Sequence, residues 1–262
     1  MNRGTNESGV LVTKRSNRLI HYAAHAEPDD VIAAVTEPGE VLKTSSRAVT
    51  RRCGSFVVKR FRARHGYGLL KLNVLRIGNR TMWARATELF RRGVPIPCPT
   101  AFVERRHCGT TTAAAYVCEY LDGWVDVEQY ARQMLRGGAS SDAVRAYLEN
   151  IADAVNKLTA AGAYHSDLSG KNIFTDSGGE SIRFIDLDDV RLDTPYTRSR
   201  RFRNHVQLFD SFCDMWGHDL LEPFIERMLP SEYDSSIWHK RVVDAQRRRR
   251  ARYEAQKRRR PR

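Results

Sequence analysis

The sequence predicts an α+β fold in two lobes, in which an antiparallel sheet with one helix precedes a mainly helical lobe. Strand-like segments separated by turns fill residues 40–61, and a further apolar run at 113–121 ends at Asp122-Gly123. The strongest helical pattern, at residues 140–161, comes only after that turn. A chain of 262 residues is long enough to form a core in each lobe.

The predicted elements follow one another in a simple order. Residues 29–35 indicate a short helix, residues 40–46, 47–53 and 55–61 are predicted strands, and residues 93–104 lead from a loop into another strand. A helix at 79–92 is predicted to end at the Gly-Val-Pro that follows it. The helix at 140–161 begins at a serine or aspartate cap and ends at Gly162. Its predicted buried face comprises Val144, Leu148, Ile151, Val155 and Leu158.

The most informative stretch of the chain is the segment 164–193. It contains His165, Asp167 and Asn172 in the pattern H-x-D-L-x-x-x-N, and Asp186 follows on an apolar run after a Gly-Gly turn. Phosphoryl transfer needs a carboxylate that orients and deprotonates the attacking hydroxyl, and oxygen ligands that hold magnesium on the nucleotide phosphates. Asp167 suits the first task, and Asn172 with Asp186 suits the second. The alternative interpretation is a polar turn between two strands, because these residue types are common in turns.

These motifs resemble the catalytic and metal-binding loops of the protein-kinase-like superfamily, with IDLDD in place of the usual D-F-G. The run FIDLDDVRL, the arginine-rich stretch after it and RNHVQLFDSF are most similar to the lipopolysaccharide core kinases that act on Kdo or heptose. The resemblance covers residue 43 to the C-terminus. It implies a bilobal protein-kinase-like fold and an ATP-dependent transfer to a sugar hydroxyl of the lipopolysaccharide core. In that setting Asp167 is the base, Mg2+ is held by Asn172 and Asp186, and His165 maintains the loop geometry.

The same resemblance divides the chain into segments. Residues 1–38 form an N-terminal extension without an assigned role, and residues 39–121 form a kinase-like N-lobe that ends in the hinge between lobes. Residues 122–239 form the C-lobe with the catalytic and metal-binding loops, and residues 240–262 form an arginine-rich tail.

Nucleotide-binding residues are expected mainly in the N-lobe. Lys59 stands in Val-Val-Lys, a pattern that by itself fits an outward-facing strand lysine, and the resemblance implies contact with the α and β phosphates. The acid that pairs with this lysine is expected on the helix at 79–92, where Glu88 is the only acid. Backbone groups near Glu119, Tyr120 and Leu121 are expected to bind adenine. Lys171 either contacts the γ-phosphate or faces solvent.

The glycine-rich loop of typical kinases is missing from this sequence. KTSSRAV stands between the first two strands of the predicted N-lobe, so Ser45, Ser46 and nearby backbone amides are candidate substitutes. After Asp186, five arginines fall within thirteen residues and suit an acceptor that already carries phosphate or carboxylate, although a generic exposed basic loop has the same composition. They are Arg191, Arg198, Arg200, Arg201 and Arg203.

The net charge of +13 is concentrated at the C-terminus. Residues 240–262 contain twelve Lys and Arg against two acids, a net +10, and the rest of the chain carries only +3. Such a segment is predicted to be a solvated helix or a disordered arm that binds a polyanion, and arginine favours bidentate phosphate contacts. An anionic membrane surface is the predicted partner, with nucleic acid and a merely solubilising tail as alternatives.

Other features limit the function classes. The five cysteines form no C-x-x-C, so neither a disulfide framework nor a zinc site is predicted. Without an apolar run of signal-peptide or membrane-span length, the chain is expected in the cytoplasm, either free or peripheral on the inner membrane. One alternative is a kinase of protein or small-molecule hydroxyls, because HSDLSGKN is also similar to RIO-type kinases and aminoglycoside phosphotransferases. Another is a pseudokinase or nucleic-acid-binding scaffold, which would not need Lys59, Asp167, Asn172 and Asp186 together.

Overall fold

The computed structural model describes residues 4–5, 10–46, 48–61, 79–108 and 110–259. Among these, the N-terminal part is built on one antiparallel sheet and the C-terminal part is mainly helical, which confirms the predicted α+β class. The chain divides into two compact units. The first comprises Met1–Arg91 and Pro97–Asp122, and the second comprises Arg92–Ile96 and Gly123–Arg262.

Within the described residues, the first unit contains an eight-stranded sheet in the order β1-β2-β3-β7-β8-β6-β5-β4, with every neighbouring pair antiparallel. Its two described helices are α1, Pro28–Thr36, and α2, Asn79–Arg91. The strands are β1 Gly4–Thr5, β2 Val10–Arg15, β3 Arg18–Ala23, β4 Glu40–Thr44, β5 Ala48–Cys53, β6 Phe56–Phe61, β7 Pro99–His107 and β8 Thr110–Glu119.

The N-terminal extension, to which the sequence assigned no role, is part of this sheet. It supplies β1, β2 and β3, and β3 pairs with β7 in the middle of the strand order. The helix expected at residues 29–35 is present as α1, which packs against β6 and β8. Ile20 of β3, Val31 of α1 and Val117 of β8 have no exposed surface and belong to one apolar cluster. Residues 10–36 therefore contribute to the core of the first unit.

The second unit contains five α-helices and two small sheets among its described residues. Helix α4 has its five predicted face residues buried and is capped by Ser140, whose hydroxyl accepts a hydrogen bond from Ala143 N at 3.2 Å. The helices are α3 Val127–Arg136, α4 Ser141–Ala160, α5 Arg198–Phe212, α6 His218–Glu226 and α7 Ser235–Arg259. The strands are β9 Val125–Asp126, β10 Tyr164–His165, β11 Ile173–Thr175, β12 Ile182–Phe184 and β13 Val190–Arg191.

The arginine-rich C-terminus is helical, but its first half is not a solvated arm. Helix α7 buries Trp238, Val242, Val243 and Gln246. Arg250 is bound to the end of α5, with Nε 2.6 Å from Asp210 Oδ1 and a second nitrogen 2.6 Å from Asp214 Oδ1. Residues 240–250 consequently belong to the packed helical unit, although the basic residues Lys240, Arg241, Arg247, Arg248 and Arg249 within this range are exposed. None of the helices in the described part of the chain has the length and apolarity needed to cross a membrane.

Candidate active site

The segment that carries the H-x-D-L-x-x-x-N motif is fixed by short strands on both sides. We call residues 165–172 the Asp167 loop. Strand β10 ends at the first residue of this loop, and β11 begins directly after its last residue. Strand β10 pairs with β13, so His165 lies opposite Val190, and β11 pairs with β12. Ile185 N donates to Asn172 O at 2.9 Å, and Ser166 N donates to Asp189 O at 2.8 Å. These bonds join the Asp167 loop to the turn that contains Asp186.

Asp167 and Asn172 are in direct contact. Asn172 Nδ2 donates to the backbone oxygen of Asp167 and to its carboxylate oxygen Oδ2, both at 2.9 Å. The amide nitrogen is therefore committed to Asp167, and the amide oxygen of Asn172 is the atom left to act as a ligand. The Asp167 side chain is exposed to solvent and Asn172 is half-buried. An exposed, oriented carboxylate is suited to receive a proton from a bound hydroxyl.

Asp186 has a left-handed backbone conformation, with φ 56° and ψ 53°, at the start of a 3-10 turn that spans Leu187–Asp189. Such a conformation costs a non-glycine residue about 1–3 kcal/mol and occurs often at functional sites. The Asp186 carboxylate and the Asn172 amide oxygen are hard oxygen donors, which Mg2+ prefers when phosphate oxygens supply other positions in its shell. The donor chemistry of these two residues therefore fits magnesium bound to a nucleotide.

His165 is completely buried, and its ring binds backbone groups on both sides. Its Nε2 donates to Ile185 O at 3.2 Å, and its Nδ1 accepts from Asp167 N at 3.2 Å. This pattern requires the neutral ring, and burial lowers the pKa of His165 below its ordinary value. A neutral histidine with both nitrogens engaged holds Asp167 in position and is not available to transfer a proton.

Helix α5 contributes site residues that the sequence did not single out. Asn204, Gln207 and Ser211 are spaced i, i+3 and i+7 on one helical face, and each bonds to the backbone of the Asp167 loop. The segment RNHVQLFDSF carries part of the resemblance, but the resemblance gives these three residues no role. The signal available in the sequence was their helical spacing, which places three polar side chains on one face.

Two of the candidate nucleotide residues of the first unit lie on its sheet and on α2. Lys59 is half-buried on β6, opposite Thr50 of β5 and Tyr116 of β8. Glu88 on α2 forms an ion pair with Arg91, with a closest N–O distance of 2.6 Å. The structure thus assigns Glu88 a partner on its own helix, and the pairing of Glu88 with Lys59 stays a prediction.

Residues 119–122, which contain the predicted hinge and are called the hinge segment below, have most of their backbone amides already bonded. Glu119 N donates to Cys98 O at 3.0 Å, Tyr120 N donates to Ser55 O at 2.8 Å, and Asp122 N donates to Tyr120 O at 3.1 Å. Within the described residues, Leu121 N has no such bond. If adenine binds this segment through a backbone N–H, Leu121 is the residue that can donate it.

The other candidate residues differ in whether the structure shows their side chains bonded to the backbone or exposed to solvent. The Ser45 hydroxyl closes the turn between β4 and β5 by accepting from Ala48 N at 3.0 Å, whereas Ser46 is exposed. Lys171 is also exposed. Arg200 bonds to Pro195 O at 2.6 Å and Arg201 bonds to Met228 O at 2.8 Å. Among the five clustered arginines, the exposed ones are Arg191, Arg198 and Arg203.

The fold, the Asp167 loop and the turn that contains Asp186 together indicate a kinase. Comparison with known proteins gives the family. The model of the lipopolysaccharide kinase (Kdo/WaaP) family matches residues 47–224, and the chain belongs to this family. Because the family is a kinase family, the chain is a kinase and ATP is the expected phosphoryl donor. The predicted family and the predicted kinase activity are confirmed.

Solved structures give independent support for the fold. One described as WaaP in complex with acyl carrier protein has a TM-score of 0.62 and 19% sequence identity, and the match covers 84% of this chain and 97% of that one. At this identity the likeness shows the fold alone. No curated protein matches the chain.

Proposed function

We propose that this kinase transfers the γ-phosphoryl group of ATP to a hydroxyl of Kdo or heptose in the lipopolysaccharide core. The observation that supports this most strongly is the exposed Asp167 carboxylate, which Asn172 orients at 2.9 Å inside a loop fixed to its neighbours. In this proposal Asp167 accepts the proton of the sugar hydroxyl. The hydroxyl oxygen forms the new bond to phosphorus, and the bond to the ADP oxygen breaks.

The Asn172 amide oxygen and the Asp186 carboxylate are proposed to hold Mg2+. When bound, the ion neutralises charge on the nucleotide phosphates. Asn172 then has two tasks, because its amide nitrogen orients Asp167 while its amide oxygen binds the metal. The left-handed backbone of Asp186 sets the direction of the second ligand.

Most of the remaining nucleotide contacts are proposed from the first unit. Lys59 contacts the α and β phosphates, the hinge segment recognises adenine through Leu121 N–H, and Ser46 with nearby amides replaces the glycine-rich loop. Lys171 is proposed to contact the γ-phosphate, because it is an exposed cation on the 3-10 turn that also carries Asn172.

Acceptor recognition is proposed to involve the exposed arginines at 191, 198 and 203. Kdo carries a carboxylate, and lipopolysaccharide cores often carry phosphate, so a basic surface after Asp186 suits an acidic sugar. Arg200 and Arg201 are assigned to structure instead, because each binds a backbone oxygen and lies over an aromatic ring.

A glycolipid acceptor also suggests where the enzyme works. We propose that it binds the anionic cytoplasmic leaflet of the inner membrane as a peripheral protein, through the exposed face of α7. That face carries Lys240, Arg241, Arg247, Arg248 and Arg252. Each basic residue near such a surface contributes about 1 kcal/mol.

The acceptor class is tested by transfer from γ-labelled ATP. The panel contains core oligosaccharides that end in Kdo, cores that carry heptose, a protein mixture and aminoglycosides. Label on one of the two sugar classes is expected. The control is the Asp167→Asn variant, which should transfer far less label to the same sugar. Label on protein or aminoglycoside alone would overturn the glycolipid assignment and favour the corresponding alternative kinase.

A further inference from the structure

The peptide groups on either side of Asp167 are bound by one side chain of α5. Gln207 Nε2 donates to Ser166 O at 3.1 Å, and Gln207 Oε1 accepts from Leu168 N at 3.1 Å. Ser166 O belongs to the peptide group that precedes Asp167, and Leu168 N belongs to the one that follows it. A single amide thus uses its donor on one peptide plane and its acceptor on the other.

The two remaining backbone groups at this position are also bound by side chains. Asp167 N donates to His165 Nδ1 at 3.2 Å, and Asp167 O accepts from Asn172 Nδ2 at 2.9 Å. All four polar atoms of the two peptide planes that flank Asp167 are therefore bonded to side chains, and not to the backbone of a helix or a sheet. This arrangement determines φ and ψ of Asp167 and hence the position of its carboxylate.

Further bonds hold Gln207 and the ends of the Asp167 loop. Asn204 Nδ2 donates to Gln207 Oε1 and to His165 O, both at 2.9 Å, and Tyr196 OH donates to Asn204 Oδ1 at 3.1 Å. Ser211 Oγ accepts from Gly170 N at 2.9 Å. Asn204 and Gln207 are buried, so water does not replace these bonds easily when they are lost.

We propose that Gln207 is a positioning residue for phosphoryl transfer, which acts by fixing the backbone of Asp167, with Asn204 holding the Gln207 amide. The inference rests on the proposed function, because it takes Asp167 as the residue that receives the acceptor proton. A shift of about 1 Å in a catalytic group can reduce turnover about 100-fold. Gln207 does not contact the substrate in this proposal, so nucleotide affinity does not depend on it.

The test compares Gln207→Leu with Gln246→Leu. Both remove a buried glutamine amide from a helix of the second unit, but Gln246 bonds to Asp210 and Cys213 and not to the Asp167 loop. We expect Gln207→Leu to lower kcat about 100-fold with the Kd of Mg-ATP within about twofold of the parent. Gln246→Leu is expected to lose thermal stability while kcat stays close to the parent. Equal kcat values in the two variants would overturn the inference.

A double-variant cycle separates this inference from the proposed function. If Gln207 acts through Asp167, the Asp167→Asn, Gln207→Leu double variant turns over no more slowly than Asp167→Asn alone. Multiplicative losses would show that Gln207 acts elsewhere and would overturn the inference, while the role of Asp167 would stand. Parental turnover in Asp167→Asn alone would contradict the proposed function itself.

The Gln207→Glu variant keeps the inference testable if Gln207→Leu does not fold. The introduced carboxylate, when ionised, accepts from Leu168 N but cannot donate to Ser166 O, whereas its protonated form can do both. The kcat of Gln207→Glu relative to the parent is therefore expected to rise as the pH falls. A relative kcat that stays constant with pH would contradict the positioning role.

Discussion

Asp167 and Asp186 are short carboxylates in the same segment, but their surroundings differ. Asp167 is exposed and oriented by Asn172, whereas Asp186 is half-buried and has a left-handed backbone. The first arrangement presents a carboxylate to an incoming hydroxyl. The second holds a carboxylate in one direction at the start of a turn, as a metal ligand requires. The proposed function therefore predicts different consequences for the same chemical change at each position.

Asp167→Asn is expected to lower kcat about 100-fold or more and to leave Mg-ATP affinity nearly intact, because a general base is lost. The asparagine Oδ1 can still accept from Asn172 Nδ2, so the loop keeps its geometry. Asp186→Asn is expected to lower both Mg-ATP affinity and turnover, because the metal loses a negatively charged ligand. Calorimetry with Mg-ATP and steady-state assays of both variants measure the difference. Parental binding and turnover in both variants would contradict the assignment of this segment.

At the level of single residues, the sequence could predict those that lie in one short motif. Asp167 and Asn172 are five positions apart, and their contact at 2.9 Å stays within the loop. Gln207 could not be recognised in the same way, because its partners lie 39 and 41 positions away and its bonds depend on how α5 packs. For adenine binding the sequence predicted Glu119, Tyr120 and Leu121 together, and it could not single out Leu121, because that choice depends on which neighbouring amides are already bonded.

Helices α5 and α7 are joined by a buried polar contact. Trp238 Nε1 donates to His205 Nδ1 at 2.9 Å, and both residues are buried. Burial lowers the pKa of His205 from 6.5 to about 3, with a smaller effect in the same direction from Arg201. The contact needs a neutral His205, because a protonated Nδ1 cannot accept the indole N–H.

This contact predicts that the second unit loses stability in mild acid. Between about pH 6.5 and 3 the unfolded chain binds a proton at His205 that the folded chain does not bind. The contribution of neutral His205 to the free energy of unfolding should therefore be fully present above pH 6.5. It should fall as the pH decreases, by up to about 1.4 kcal/mol per pH unit. In His205→Asn an amide oxygen can accept from Trp238 without titrating, so this part of the pH dependence should be absent.

Denaturant midpoints followed by tryptophan fluorescence across pH 4–7 test this prediction. His107→Asn is a suitable control, because His107 is an exposed histidine on β7. The His205→Asn variant should show a shallower decrease in midpoint than either the parent or the control. Identical slopes in all three proteins would show that His205 does not couple folding to protonation.

Predictability also differed among elements, and the differences have physical causes. Helix α4 was predicted nearly to the residue because an amphipathic face, a serine cap and a terminal glycine all agree. Strands β2 and β3 were missed because VLVTKR and RLIHYA combine charged residues with only partial burial. The packed face of α7 was obscured because its few apolar residues lie among many arginines.

At the scale of the whole chain, charge is distributed very unevenly. Residues 240–262 hold +10 of the net +13. Within α7, Arg250 forms ion pairs with Asp210 and Asp214 and anchors the helix to α5. Arg248 and Arg252 are exposed, so their charge remains at the surface. A deletion after His239 would remove Val242, Val243 and Arg250 and damage the fold, so point substitutions separate charge from packing.

The double variant Arg248→Ser, Arg252→Ser should bind anionic vesicles about 30-fold more weakly than the parent, because two basic residues near the membrane contribute about 2 kcal/mol. The control, Lys14→Ser with Arg145→Ser, also removes two exposed positive charges and leaves the same net charge of +11, from +13 minus two. Cosedimentation with anionic and neutral vesicles at low and high salt measures the effect, which salt should reduce. Turnover on a soluble core oligosaccharide should be unchanged.

Equal loss of vesicle binding in both double variants would show that total charge, not the α7 face, causes the attraction. Weakened binding to DNA alone would favour a nucleic-acid partner.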